Sequence, residues 1–390
     1  MAARLKMTGR ERIMAALESR PVDKIPFVPL IGPFTLMDMP AEIKGQDPIA
    51  GFDPARMSAA ARALKCDLMI RHVAVNGPRG KGAIHAQMLG GFAPPVETKA
   101  GFEDGRLVET IVTPVGTLTG KWGFTDRVGI IPHATRHMVN NHEELKIFHW
   151  AVDHISTEPA APLYSIFTKV DKEIGDDGIA TTSFSNSPLM FLIEMVWGLE
   201  NTYYLLNDYP EEVEDILQKL HGSVKRHLEV VTESPARVVI QYENTSSTLL
   251  SPKVFKKFVL PFLNEYAEML KAAGKIYLIH MCGKLNAFKE DLAGAGFSGI
   301  IDVPPPPTGD FPLDEAAASL PDKVVIGGVD PTTFISPDSK FVEEEVSGLI
   351  ERLKPFTGVM LGSADVTPRG ALPQNFKLIR RLIDTIGAYN

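Results

Sequence analysis

The sequence predicts an α/β chain built as a (β/α)8 TIM barrel that carries an inserted antiparallel β-hairpin. Three observations predict it. Apolar runs of strand length recur along the chain, and patterns of helical period separate them. One block alone, residues 97–122, is rich in β-branched residues and contains an Asp-Gly turn signal at Asp104-Gly105.

Taken in order, Thr8 to Glu18 reads as an amphipathic helix, with Thr8 as its cap and Glu11 closing a capping box. Phe27 to Ile31 reads as a first strand. Pro54 to Lys65 reads as a helix leading into the strand Asp67 to Ile70, and residues 140–175 have helical character. From Ile179 the alternation is regular. Strand-like runs fall at Ile179–Ser183, Val238–Tyr242, Ile276–Ile279, Gly299–Ile301, Lys323–Ile326 and Gly358–Leu361. Helical patterns lie between them at Pro210–Glu233, Lys253–Ala273, Leu285–Ala293 and Phe341–Leu353. With the two early runs this makes eight strands, so residues 1–390 read as a single domain with 97–122 as an insertion.

Composition narrows the function classes. The chain is 44% hydrophobic and 23% charged, with a net charge of −8, so it can bury a large core. No basic block with interleaved aromatics points to nucleic acid. No apolar leader or membrane-length run appears, and the expectation is a cytoplasmic protein with no membrane contact. Cys66 and Cys282 are the only cysteines, which leaves no disulfide framework and no metal site built from cysteines alone.

The stretch Lys275 to Gly283 carries the sharpest chemical signal. An apolar run ends in His280 and Cys282, two positions apart, and residues at the carboxyl ends of barrel strands face the ligand mouth. An imidazole and a thiolate so spaced make a two-point chelate suited to zinc. If the barrel forms, Ser183, Glu243, Asn244, Asp302, Asp330 and Asp365 share that mouth. Asp330, just before Pro331, reads more readily as the cap of the next helix.

Several motifs resemble the uroporphyrinogen decarboxylase superfamily. They are Thr8 to Glu18 with Asp23-Lys-Ile-Pro26, Gly198-Leu-Glu200, Asp208-Tyr-Pro-Glu211, and Leu250-Ser-Pro252 with Phe255 and Pro261. His280-Met-Cys-Gly283 and Gly362-Ser-Ala-Asp365, with Pro368, Gly370, Pro373 and Asn375, complete the set. The insertion and the His-x-Cys-Gly motif are similar to the corrinoid-dependent methyltransferase branch, which includes methylcobalamin:coenzyme M methyltransferases and O-demethylase methyltransferases. The decarboxylases carry arginines after their first strand. The matching stretch here, Leu30 to Met39, has none and contains Asp38, which argues against a polycarboxylate substrate.

The resemblance implies zinc held by His280, Cys282 and Asp365, the last standing where thiol-methylating members have a second Cys. It implies Asp302 as a further ligand or a supporting partner, and a corrinoid (cobalamin) carried by a partner protein. A carboxylate in place of a thiolate leaves a harder zinc, suited to polarising an oxygen. The expected reaction moves a methyl group from a small methoxylated, aromatic compound to a Co(I) corrinoid. Glu243 and Asp302 are the candidate catalytic residues, with Glu243 as general acid or ligand. Phe34, Met37, Met39, Phe184 and Met190 either wall the substrate ring or pack the core. Two other functions fit the same residues: methyl transfer from methylcobalamin to a thiol or tetrahydrofolate, and a non-catalytic barrel subunit. A homodimer is compatible with all three.

Overall fold

Extended backbone forms twelve strands among the described residues. They are β1 (Leu68–Ile70), β2 (Glu97–Glu103), β3 (Arg106–Thr113), β4 (Gly116–Gly123), β5 (His133–Arg136), β6 (Gly178–Ala180) and β7 (Thr182–Phe184). They continue with β8 (Val238–Tyr242), β9 (Ile276–His280), β10 (Gly299–Val303), β11 (Val324–Val329) and β12 (Val359–Ser363). The structure, a computed structural model, describes residues 6–32, 35–36, 39–44, 54–75, 91–123, 133–158 and 161–388.

The α/β alternation predicted from the sequence is present. β7 to β12 form one parallel sheet in chain order, and β1 pairs in parallel with β6, from which only Thr181 separates β7. On the far side, Phe27 bridges in parallel to Leu361 of β12 and Leu30 to Val366. The Asp67 amide then donates to the Phe27 carbonyl at 2.8 Å. Neighbours therefore follow one another in the order that a (β/α)8 arrangement needs, from β12 through residues 27–30 to β1, β6 and β7.

Residues 27–31 pair only through isolated bridges, so the predicted first strand is a string of single contacts. Pro26 and Pro29 are the reason, since neither has an N–H to give a ladder. Side chains supply part of what the backbone lacks. Asp67 accepts from the Phe27 amide at 3.0 Å and pairs with Arg12 at 2.5 Å, and Arg12 also binds Asp23 at 2.7 Å.

The strands are buried on both faces, as parallel strands are. Val28, Met69, Ile179, Ile240, Leu278, Ile301, Ile326 and Met360 turn to one cluster, which Ile13, Ala16 and Leu17 of the helix Gly9–Leu17 join. That helix has the predicted capping box between Thr8 and Glu11. A larger cluster fills the space between strands and outer helices. The helix Pro210–Glu233 has the predicted bounds. The pattern at 253–273 resolves into two helices, Pro252–Phe258 and Leu260–Ala272, because Pro261 begins a new first turn.

Residues 97–122 form more than a hairpin. β2 to β5 make a four-stranded antiparallel sheet, with the predicted turn at Asp104-Gly105. Leu107 and Ile111 of β3 and Leu118 and Trp122 of β4 join the main core. No helix among the described residues is long and apolar enough to cross a membrane.

Candidate active site

The carboxyl ends of β1, β8, β9 and β10 converge on one buried ion cluster. Asp302, fully buried, takes Arg71 Nη2 on Oδ1 at 2.8 Å and both Arg71 Nη1 and His280 Nδ1 on Oδ2, the latter at 2.6 Å. Position 302 is aimed by the backbone. The β10–β11 register shifts between Ile300 and Val303, and Asp302 adopts φ +63°. A bulge of this kind turns a side chain out of its ladder direction, and a non-glycine residue holds such a φ only where its surroundings enforce it. His72, just past β1, and Asn244, just past β8, share the left-handed conformation.

The charges in the cluster support one another. Burial opposes the charge on His280, but the hydrogen bonds and charges of Asp302 and Cys282 overcome it and raise the imidazole above its usual range. Burial likewise opposes ionisation of Asp302, and Arg71 and His280 hold its carboxyl below the usual range. His72 behaves oppositely. Its ring stacks on Tyr242 with centroids 4.4 Å apart, and its Nδ1 lies 3.0 Å from Ser183 Oγ. The protein packed around it, together with the Arg71 and His280 charges, lowers it to about 4, so it is neutral at physiological pH.

Beside this cluster lies a cavity of about 230 Å³. Leu30, Ile31, Met57 and Ile70 give it an apolar wall, and Arg71, His72, Tyr242, His280 and Asp365 supply its polar side. A wider depression of about 440 Å³ adjoins it at Asp365 and is lined by Cys282, Pro304, Pro307 and Thr308.

Cys282 is half-buried, and its thiol lies 3.6 Å from Asn244 Oδ1. Asn244 in turn donates to Glu194 at 2.8 Å, and Asn186 donates to the same carboxylate at 3.0 Å. Glu194 sits in a π-helical turn, Leu192–Trp197, a geometry that recurs at functional sites. Gly283 is required by close approach: a Cβ there would stand 2.3 Å from Ser246 Cβ and 2.5 Å from the Thr245 carbonyl.

Glu243 lies at the end of β8 but does not line the cavity. Its carboxyl accepts from the Ser187 amide and from Ser187 Oγ at 2.8 Å, and burial raises it from 4.5 to about 8. A carboxyl raised on folding contributes stability that is complete below its unfolded value and is lost as pH rises through about 8. Glu243→Gln keeps the Ser187 contacts without a titrating proton. Its stability in denaturant titrations should therefore fall less than the parent's between pH 5 and 9, by on the order of 3 kcal/mol. Parallel pH profiles would refute the buried-acid reading.

Asp365 is exposed and accepts from its neighbour's amide, Val366 N–H, at 2.6 Å. Asp330 caps the helix Pro331–Ile335 through Thr332 N at 2.8 Å, the alternative that its place before Pro331 suggested. Phe184 and Met190 belong to the core, Phe184 packing on Tyr266 and Tyr277, and Met39 is likewise buried; Phe34, Met37 and Asp38 lie outside the described residues. Sequence reasoning missed Arg71, His72, Tyr242, Ser187 and Glu194. For Arg71 and His72 a signal existed, because they follow the run Asp67–Ile70 as His280 follows its own.

Of the residues expected to hold zinc, His280 fits best. Asp302 fixes its Nδ1, so that Nε2 is the nitrogen a metal would take, the carboxylate–imidazole arrangement seen behind metal-bound histidines. Cys282 follows two residues on, and Asp365 borders both cavities. Among the described residues no three His, Cys, Asp or Glu side chains are already gathered as a ligand set. The donor types fit zinc, and the exposed Asp365 would have to turn from Val366 to complete them.

A parallel α/β chain with ionisable groups gathered around a cavity at its strand ends is a protein with its ligand site at the mouth of the sheet. The uroporphyrinogen decarboxylase (URO-D) family model matches residues 96–384, and the chain belongs to that family. It is 28% identical over 194 residues to the uroporphyrinogen decarboxylase of Hydrogenovibrio crunogenus, covering 47% of this chain and 52% of that one. With the Myxococcus xanthus uroporphyrinogen decarboxylase it shares 24% identity over 189 residues, 46% of this chain and 51% of the other. The chain thus spans about half the length of the curated relatives it matches. A methyltransferase from Methanosarcina mazei shares the fold over 97% of this chain and 99% of its own, with TM-score 0.62 and 16% identity.

Proposed function

We propose that this chain is a zinc-dependent enzyme that moves a methyl group from a small methoxylated, aromatic compound to the Co(I) corrinoid of a partner protein. It would do so as a (β/α)8 barrel of the methyltransferase branch. The observation that carries the reading is the Asp302–His280 clamp, which fixes one imidazole nitrogen and sets the ring beside Cys282 and a cavity with room for a single ring. For scale, a dry cavity of about 150 Å³ accepts benzene. The apolar wall and small volume also suit one ring better than a four-ring polycarboxylate.

His280, Cys282 and Asp365 would hold the metal, which when bound supplies a Lewis acid for the ether oxygen. The chain's own residues do the rest. Asp302 orients the imidazole, Asn244 fixes the Cys282 thiol, and Leu30, Ile31 and Met57 exclude water from the ring. Methyl transfer needs the reacting atoms about 3–3.5 Å apart, and a corrinoid is wide and flat. The depression lined by Pro304, Pro307 and Thr308 supports docking from outside, since it meets the inner cavity at Asp365.

The test is a donor screen. Zinc-loaded protein, a Co(I) corrinoid protein and a panel of methoxylated aromatics should yield the methyl-Co(III) spectrum with at least one donor. Methyl transfer from methylcobalamin to a thiol, with none from any ether, would replace this reading by the reverse half-reaction.

A further inference from the structure

Most of the polar side chains that line the 230 Å³ cavity are committed to one another. Arg71 holds Asp302 through both Nη atoms and also meets the Tyr242 hydroxyl, and His280 is held by Asp302. Asp365, at the rim, accepts from the Val366 amide. His72 stands outside this hydrogen-bonded cluster. Its side chain is exposed, its Nδ1 lies 3.0 Å from Ser183 Oγ, and its face stacks on Tyr242 with centroids 4.4 Å apart. The stack sets the plane of the ring and Ser183 takes Nδ1, so Nε2 is the nitrogen a ligand would meet. The backbone is strained at the same point. His72 has φ +60°, which a non-glycine residue keeps only where its surroundings enforce it, and such residues gather at ligand clamps.

We propose that His72 is the specificity residue of this cavity, and that the ligand is a compact, uncharged ring compound carrying a hydroxyl or carbonyl group for its imidazole. Leu30, Ile31, Met57 and Ile70 match the apolar body of such a ligand. Its lack of charge follows from the balance around the cavity. Among the described residues the two cations that line it, Arg71 and His280, share Asp302, and Asp365 adds a further carboxylate. An anionic group on the ligand would be buried with no cation left to pair with it, which is costly. His72 suits a neutral group. The protein around it and the Arg71 and His280 charges hold it uncharged, so it exchanges one hydrogen bond without bringing a charge into the cavity. Either tautomer serves, since Nε2 donates to a carbonyl in one and accepts from a hydroxyl in the other.

The inference deepens the proposed function by naming what the methyl donor carries besides its methoxy group, and it rests on that function only for the ligand's role as donor. Calorimetric titration of chelator-treated protein with phenol, toluene and benzoate tests it with no metal present to bind an oxygen. Phenol should bind at least tenfold more tightly than benzoate. His72→Phe keeps a ring to stack on Tyr242 and loses both nitrogens. It should weaken phenol about tenfold, the upper scale of one neutral hydrogen bond, and leave toluene within twofold. A bulky residue fits φ +60° poorly, so His72→Gly is the second variant, and it decides alone if His72→Phe does not fold. In His72→Gly the ratio of phenol to toluene affinity should fall by a similar factor. Ser183→Ala releases Nδ1 and should weaken phenol by less than His72→Phe does. Benzoate bound as tightly as phenol, no binding of phenol, or an unchanged phenol-to-toluene ratio in the folded His72 variants would overturn the assignment. Any of these in a protein that does transfer methyl groups sinks this inference alone. Phenol selection through His72 in a protein that transfers no methyl group to any corrinoid sinks the reaction instead.

Discussion

Asp302→Ala should destabilise the protein by about 3–5 kcal/mol, the scale for removing one partner of a buried ion pair. The fully buried carboxylate holds two nearly buried cationic groups, Arg71 and His280. Without it the Arg71 guanidinium remains buried and uncompensated. A companion variant, Asp302→Ala with Arg71→Met, should recover much of the loss, because no charge is then stranded. The pH profile carries a second signature. Asp302 is held below its usual range, so its contribution is present above its unfolded value and lost as pH falls through the folded one. His280 is raised, so its contribution is present below its unfolded value and lost as pH rises through the folded one. Both limbs should flatten in Asp302→Ala. A variant within about 1 kcal/mol of the parent by denaturant titration would show that the cluster does not hold the strand ends together.

Cys282→Ala should abolish stoichiometric zinc while the fold persists. The thiol is half-buried and makes only weak polar contacts, a 3.6 Å approach to Asn244 and one to His280, so the fold does not depend on it. Zinc content by metal analysis should fall at least tenfold relative to the parent after equal zinc loading and dialysis, with far-ultraviolet circular dichroism unchanged. Asp302→Asn should weaken metal binding less, on the roughly 10–100-fold scale of a ligand's supporting partner. Full zinc occupancy in Cys282→Ala would remove this residue from the site. Absence of zinc from the loaded parent would favour the non-catalytic subunit.

What the sequence determined by itself is the set of features written into local pattern. The 3.6-residue period and Pro210 placed the helix Pro210–Glu233, and the Thr8–Glu11 pair placed the first cap. Apolar runs located the strands because parallel strands are buried on both faces and so read as continuous apolar stretches. His280 and Cys282 were legible because both lie at the end of one such run. The same rule applied to Asp67–Ile70 would have reached Arg71 and His72.

Tertiary structure alone decided which strand ends meet. Arg71 and Asp302 are 231 positions apart, and nothing local to either says that the other will neutralise it. Glu243 looked like a mouth residue by position, yet Ser187, supplied by another strand-end loop, takes its carboxyl away from the cavity. Phe27–Ile31 has the composition of a strand, but its prolines limit the pairing to isolated bridges, and the Asp67 side chain takes the Phe27 amide. Asp302 itself depends on a bulge that no residue type announces. The physical reason is common to all four. A side chain's partner, its burial and therefore its charge state are properties of the space that distant segments enclose, and that space exists only once those segments have packed together.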